Sequence, residues 1–223
     1  TVDYMKEGNF LLDRLSWFIP IHRPAPSLNK KRLKDVMIGV LILLVISFVT
    51  QANVAFLSNP KVARPIGVSH RGVDNKNGVQ NTIASLKKTS QTTHPKFVEM
   101  DIQETKDHQF VVYHDYNLKA LTGINEKPNQ LTLSQLTKLT IHENKQTATI
   151  VSFDDYLAAA QKLNQRLMIE IKPNKEDSPE MLTNFLNKYQ DKILKAGHVI
   201  QSLSYDIIEQ IKELSPTVTA GYI

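Results

Sequence analysis

Phe97-Val98-Glu99-Met100-Asp101-Ile102 and Leu167-Met168-Ile169-Glu170-Ile171-Lys172 decide how this chain folds. Both read as short buried strands interrupted by charge. Side chains alternate along a strand, so Glu99 and Asp101 share one face, and Glu170 and Lys172 share one. Strands buried on both faces ordinarily carry Val, Ile and Leu. Here titratable residues sit near the C-terminal ends instead. Two further predicted strands do the same, with His70 closing Ile66–His70 and His114 closing Phe110–His114.

Working outward, a helix is predicted over Asn81–Ser90 and a polar turn at Thr105-Lys106-Asp107. Residues 117–150 read as irregular apart from a short helix over Leu133–Leu139. Ser152 and Asp155 form a capping box that opens a helix over Ser152–Leu163. Another helix begins at Ser178-Pro179-Glu180 and stops at Gly197. Strands over Val199–Ser202 and Val218–Tyr222 flank a helix over Tyr205–Leu214. Six strands alternating with helices predict a parallel α/β architecture, either an open sheet or a (β/α)8 barrel. In such a barrel the C-terminal strand ends form the active face, and about 250 residues are typical. From Pro65 onward the chain has 159 residues. The expectation is a TIM barrel represented by its first six strands and C-terminally incomplete in this chain.

Ahead of it, Lys30-Lys31-Arg32-Leu33-Lys34-Asp35 leads into a run without charge from Val36 to Pro60. Val36 to Leu57 matches the roughly 20 residues that a helix needs to cross a membrane. Residues 35–58 are therefore expected to form a transmembrane helix. The basic cluster before it assigns residues 1–34 to the cytoplasm and the domain over 65–223 to the exterior. Phe10-Leu11-Leu12 with Trp17, Phe18 and Ile19 reads as the end of an upstream membrane region.

Composition narrows the function. The 223 residues include no cysteine, which excludes disulfides, thiolate metal sites and a cysteine nucleophile. Lys plus Arg total 27 against 22 Asp plus Glu, a net charge of +5. Residues 1–60 hold seven basic and four acidic residues, or +3, leaving +2 for residues 61–223. The basicity marks a membrane flank, and no nucleic-acid partner is expected.

Two carboxylates on one strand face repel unless a cation or protons intervene. Glu99 and Asp101, with Glu170 on a nearby strand, point to one divalent cation held by oxygen, Mg2+ or Ca2+. The alternative is a set of buried salt bridges to Arg71 and Lys172, a costly way to stabilise a fold.

With these residues in view, the chain resembles the glycerophosphodiester phosphodiesterase family, in its membrane-anchored bacterial form. The resemblance rests on Gly67-Val68-Ser69-His70-Arg71-Gly72, Asn81-Thr82-Ile83-Ala84-Ser85-Leu86, Val98-Glu99-Met100-Asp101-Ile102, Val111-Val112-Tyr113-His114-Asp115, Ile169-Glu170-Ile171-Lys172 and Gln201-Ser202, in the family's order. It implies a TIM barrel that hydrolyses glycerophosphodiesters to an alcohol and glycerol 3-phosphate, in lipid or glycerophosphate-polymer metabolism. It further implies that His70 and His114 are the acid–base pair, with His70 assigned as base. Glu99, Asp101 and Glu170 would hold the metal, and Arg71 and Lys172 would bind substrate phosphate. Position 80, where the family usually has Glu, is Gln80. Asp115 is expected to face away from His114 along its strand. A phosphatidylinositol-type phospholipase C barrel and a catalytically silent membrane sensor remain as alternatives, and the oligomeric state is open.

Overall fold

A computed structural model describes residues 29–57, 65–76 and 78–223. The chain divides into two compact units, Thr1–Arg64 and Pro65–Ile223. Residues 1–28, including the hydrophobic segment around Phe10–Ile19, lie outside the described residues.

In the first unit, α1 (Lys30–Leu57) is one continuous helix. Residues 30–55 are long and apolar enough to cross a membrane. The polar side chains within this run turn back onto the helix: Thr50 Oγ1 donates to Ile46 O at 2.8 Å, and Asn53 Nδ2 donates to Val49 O at 2.8 Å. Such back-bonding satisfies polar groups without water, as a hydrocarbon environment demands.

The second unit is an α/β fold around a seven-stranded sheet. Its strands are β1 (Val68–Ser69), β2 (Phe97–Glu104), β3 (Phe110–Val112), β6 (Val151–Ser152), β7 (Leu167–Ile171), β8 (Val199–Ser202) and β9 (Ala220–Tyr222). A separate hairpin joins β4 (Thr140–Glu143) to β5 (Gln146–Thr149). The helices are α2 (Ile83–Thr92), α3 (Lys119–Thr122), α4 (Leu133–Leu136), α5 (Phe153–Lys162), α6 (Met181–Ala196) and α7 (Tyr205–Leu214).

Strands β1, β2, β7, β8 and β9 run parallel, side by side, in the arrangement of a (β/α)8-type barrel wall. Apolar residues of β2, β7 and β8 pack against the helices, with Phe110, Phe153, Phe185 and Tyr189 forming an aromatic cluster. Of the capping box predicted for α5, the N-cap bond is present, with Ser152 Oγ accepting from Asp155 N at 3.0 Å; the Asp155 carboxylate accepts from the Ser152 hydroxyl at 2.6 Å and not from its backbone N–H. Gly197 ends α6 in the left-handed conformation, φ 65°.

Several elements differ from expectation. The strand beginning at Phe110 is antiparallel to β2, with Ile102 opposite Val112. Only five residues separate β2 from β3, whereas a parallel crossover needs about a dozen or more. The first strand ends at Ser69, and His70–Gly72 form a 3-10 turn in which Arg71 takes φ 53° and Gly72 φ 69°. Helix α2 starts at Ile83 because Asn81 is left-handed, φ 57°, and Thr82 is the N-cap.

The largest departure is the 117–150 segment, which carries the β4–β5 hairpin and its own core of Val79, Val111, Tyr113, Leu118, Leu136, Ile141 and Ile150. Asn144 and Lys145 both have positive φ, 50° and 61°, giving the two-residue turn suited to a twisted hairpin. No glycine marks that turn in the sequence.

Candidate active site

Strand register builds the acidic cluster. Asp101 on β2 lies opposite Glu170 on β7, and Glu99 is two residues back on the same face as Asp101. One carboxylate oxygen from each residue lies within 4.8 Å of the other two. All three residues are buried, and Asp101 is only 1% exposed.

The salt-bridge alternative accounts for part of this charge and leaves the rest. Lys172 Nζ lies 3.1 Å from Glu170 Oε1 and 3.7 Å from Asp101 Oδ1. The Arg71 guanidinium makes no ion pair with the cluster; its backbone N–H donates to Glu99 Oε2 at 2.7 Å. Three carboxylates thus face one lysine, an excess of two negative charges when all are ionised. Glu99 Oε1 and Asp101 Oδ1 are buried without a hydrogen bond. Orphaned buried oxygens of this kind fit a hard divalent cation, and the triad would hold it. Asn81 steadies the cluster, donating from Nδ2 to Asp101 Oδ2 at 2.8 Å and accepting from Asp101 N at 3.3 Å.

Burial, then the neighbouring Asp101 charge, pushes the Glu99 carboxyl up to about 8, and burial also raises Asp101. A raised carboxyl binds a proton in the folded state that the unfolded chain has already released. Between about pH 4.5 and about 8, the metal-free protein should therefore lose stability as pH rises. Added Mg2+ or Ca2+ should raise the melting temperature more at pH 8 than at pH 5, where protons compete for the oxygens. Melting curves across that range test this, and a metal effect equal at both pH values would contradict the titration of Glu99.

Both histidines reach the cluster. His70 Nε2 lies 3.9 Å from Glu99 Oε2, in a side chain that is 73% exposed. Partial desolvation, followed by the Arg71 guanidinium, holds its imidazole below the usual value, which favours the neutral ring. His114 arrives by a different route from the one expected. Because β3 runs back along β2, Tyr113 N donates to Asp101 O at 3.1 Å, and the next residue stands beside the triad.

Asp115 does not face away: beyond Val112 the strand ends, and His114 Nδ1 lies 2.6 Å from Asp115 Oδ1. His114 Nε2 is 2.8 Å from Arg71 Nη2. Guanidinium can only donate, so Nε2 accepts and the ring carries its proton on Nδ1. Arg71 Nη1 donates to Gln80 Oε1 at 2.8 Å, while Arg71 Nε is buried and unpaired. Glu143, which sequence reasoning did not single out, accepts from both Gln80 N and Gln80 Nε2 at 2.7 and 2.8 Å.

His198 is a structural residue: its buried Nδ1 accepts from Leu167 N at 3.0 Å, and burial lowers its pKa to about 4. His108 lies 3.1 Å from Glu104, which also accepts from Ser178 N and Oγ. Those bonds draw Ser178 out of the predicted helix, so α6 begins at Met181.

A parallel barrel wall thus carries a buried acid triad, two histidines and two cationic side chains, Arg71 and Lys172, at one end. Residues 70–222 match the model of the glycerophosphoryl diester phosphodiesterase family, and the chain belongs to that family. It is 37% identical to rat lysophospholipase D GDPD1 over 95 residues, covering 42% of this chain and 30% of that protein. It is 26% identical over 161 residues to YhdW of Bacillus subtilis (strain 168), covering 70% of this chain and 64% of that protein. Among solved structures, it resembles an Oleispira antarctica phosphodiesterase in complex with the product sn-glycerol-3-phosphate. That match has a TM-score of 0.59 at 24% identity and covers 71% of this chain and 65% of the other. The chain thus spans less than two thirds of each of these relatives.

Proposed function

We propose that the whole protein is a membrane-associated phosphodiesterase that hydrolyses glycerophosphodiesters to an alcohol and glycerol 3-phosphate, using one Mg2+ or Ca2+. The observation that carries this reading is the Glu99–Asp101–Glu170 triad beside His70, Arg71 and His114, in a member of this family. The product-bound Oleispira relative supports glycerol 3-phosphate as the product.

A phosphodiester is anionic, which repels a nucleophile, and its leaving alkoxide needs a proton. When bound, the cation would supply positive charge to the phosphoryl oxygens. Arg71 and Lys172 bind the same phosphate, and the free Arg71 Nε–H is available as a donor. His70, kept neutral, removes a proton from the nucleophile, either water or the adjacent glycerol hydroxyl, whose cyclic phosphate product a second attack by water would open to glycerol 3-phosphate. His114 protonates the departing oxygen, with the Asp115 carboxylate stabilising the imidazolium form. Phosphate capture by Arg71 would draw its Nη2 from His114 Nε2, which would then take up from solvent the proton that it delivers to the departing oxygen.

The basic flank of α1 supports an orientation with residues 65–223 outside the cell. The test is purified full-length protein incubated with glycerophosphodiesters of different head groups. Glycerol 3-phosphate should be released with Mg2+ or Ca2+ and not after chelation. Absence of release with every metal and head group would reject the reaction.

A further inference from the structure

We infer that Glu143, at the tip of the β4–β5 hairpin, is a positioning residue that sets Arg71 through Gln80. This inference rests on the reaction proposed above. Two donors converge on the Glu143 carboxylate: the backbone N–H of Gln80 meets Oε2 at 2.7 Å, and the Gln80 amide Nε2 meets Oε1 at 2.8 Å. A carboxylate has two acceptor oxygens and satisfies both; a primary amide has one. Because Glu143 claims the Gln80 nitrogen, the Gln80 carbonyl must point the other way. There it accepts from Arg71 Nη1 at 2.8 Å, while Arg71 Nη2 meets His114 Nε2 at 2.8 Å. The guanidinium is thereby held at two points, beside the triad and across the ring that Asp115 orients.

Burial tightens the coupling, since Gln80 is 8% exposed and water has little access to substitute for a lost partner. The hairpin itself is anchored at this place, with Asn144 Nδ2 donating to Gly78 O at 2.9 Å. Thus a segment far from the strand ends in sequence, and outside the barrel wall, orients a phosphate-binding side chain.

The donor and acceptor pattern yields a reciprocal test. In Glu143→Gln, one of the two Gln80 donors meets an NH2 group. The Gln80 amide is then free to turn its own NH2 toward Arg71, which is repulsive. In Gln80→Glu, two carboxylates face each other at hydrogen-bond distance. In the double variant Gln80→Glu/Glu143→Gln every group is paired again: position 143 donates to position 80 and accepts from its backbone N–H, and Arg71 regains an acceptor.

Each single substitution in the full-length protein should lower kcat/KM by about 10- to 100-fold, the usual cost of losing a group that orients a ligand-binding residue. The double variant should return to within about threefold of the parent, as coupled neighbours do in a double-mutant cycle. NMR signals of the Arg71 guanidinium, assigned with Arg71→Lys, should broaden or collapse in the single variants and reappear in the double. Single variants with parental kcat/KM and an unchanged Arg71 signal would overturn the inference. So would a double variant no better than the worse single one, which is the pattern of simple hairpin damage. If the parent releases no glycerol 3-phosphate, the reaction is wrong, and the Arg71 signal across the three variants still decides the positioning role.

Discussion

Full-length protein carrying His70→Ala should lose about 100- to 10,000-fold in kcat for glycerol 3-phosphate release, the range expected when a general acid or base is removed. The same loss is expected for His114→Ala. His70 offers the cleaner comparison. Its side chain is 73% exposed, so truncation opens no core cavity and the melting temperature should stay near that of the parent. His114 is tied to both Arg71 and Asp115, and its removal also frees a guanidinium. The pH profile separates the roles. If His70 is the base, its lowered pKa sets the acidic limb of kcat/KM, which should fall as pH drops through that value and the ring gains a proton. A His70→Ala enzyme with kcat within tenfold of the parent would remove His70 from the chemistry.

The second large effect concerns the metal. Glu99→Gln should weaken Mg2+ or Ca2+ binding by at least about 100-fold, since losing a direct ligand exceeds the 10- to 100-fold cost of losing an outer partner. The same substitution should raise the melting temperature of the metal-free protein at pH 8. Glu99 Oε2 accepts the Arg71 N–H, a bond that the Gln carbonyl can keep. Its other oxygen is buried without a partner, and an NH2 group there can donate to neighbouring carboxylates. A repulsive cluster becomes a hydrogen-bonded one, at the expense of the site's purpose. Calorimetric metal titration and thermal melts measure the two arms. Unchanged metal affinity in Glu99→Gln would take Glu99 out of the ligand set. A lower metal-free melting temperature would show that the charge was already compensated.

Much of this organisation is legible in the linear chain, for identifiable reasons. The helices over Phe153–Lys162 and Tyr205–Leu214 announce themselves through an apolar face and, for the first, a local cap. Glu99 and Asp101 share a face because alternation along a strand is a local rule. The apolar run behind Lys30–Lys34 needs only its length and lack of charge to be recognised as a membrane-spanning candidate. What is not legible depends on partners remote in sequence. The β4–β5 turn uses Asn144-Lys145, without the glycine that usually marks such a hairpin. Asp115 reaches His114 only because the strand stops at Val112.

By itself, then, the amino-acid sequence determined which residues carry the charge, which neighbours share a face, and where a candidate membrane-spanning helix lies. These properties follow from the short periods of strand and helix, which operate within a few residues. Only the tertiary structure decided that β7 would lie beside β2 with Glu170 opposite Asp101, and that β3 would fold back to bring His114 to them. It alone decided that Glu143 would stand against Gln80, 63 residues away. Strand pairing and hairpin docking are settled by packing and hydrogen-bond satisfaction between segments, and no local pattern encodes those distances.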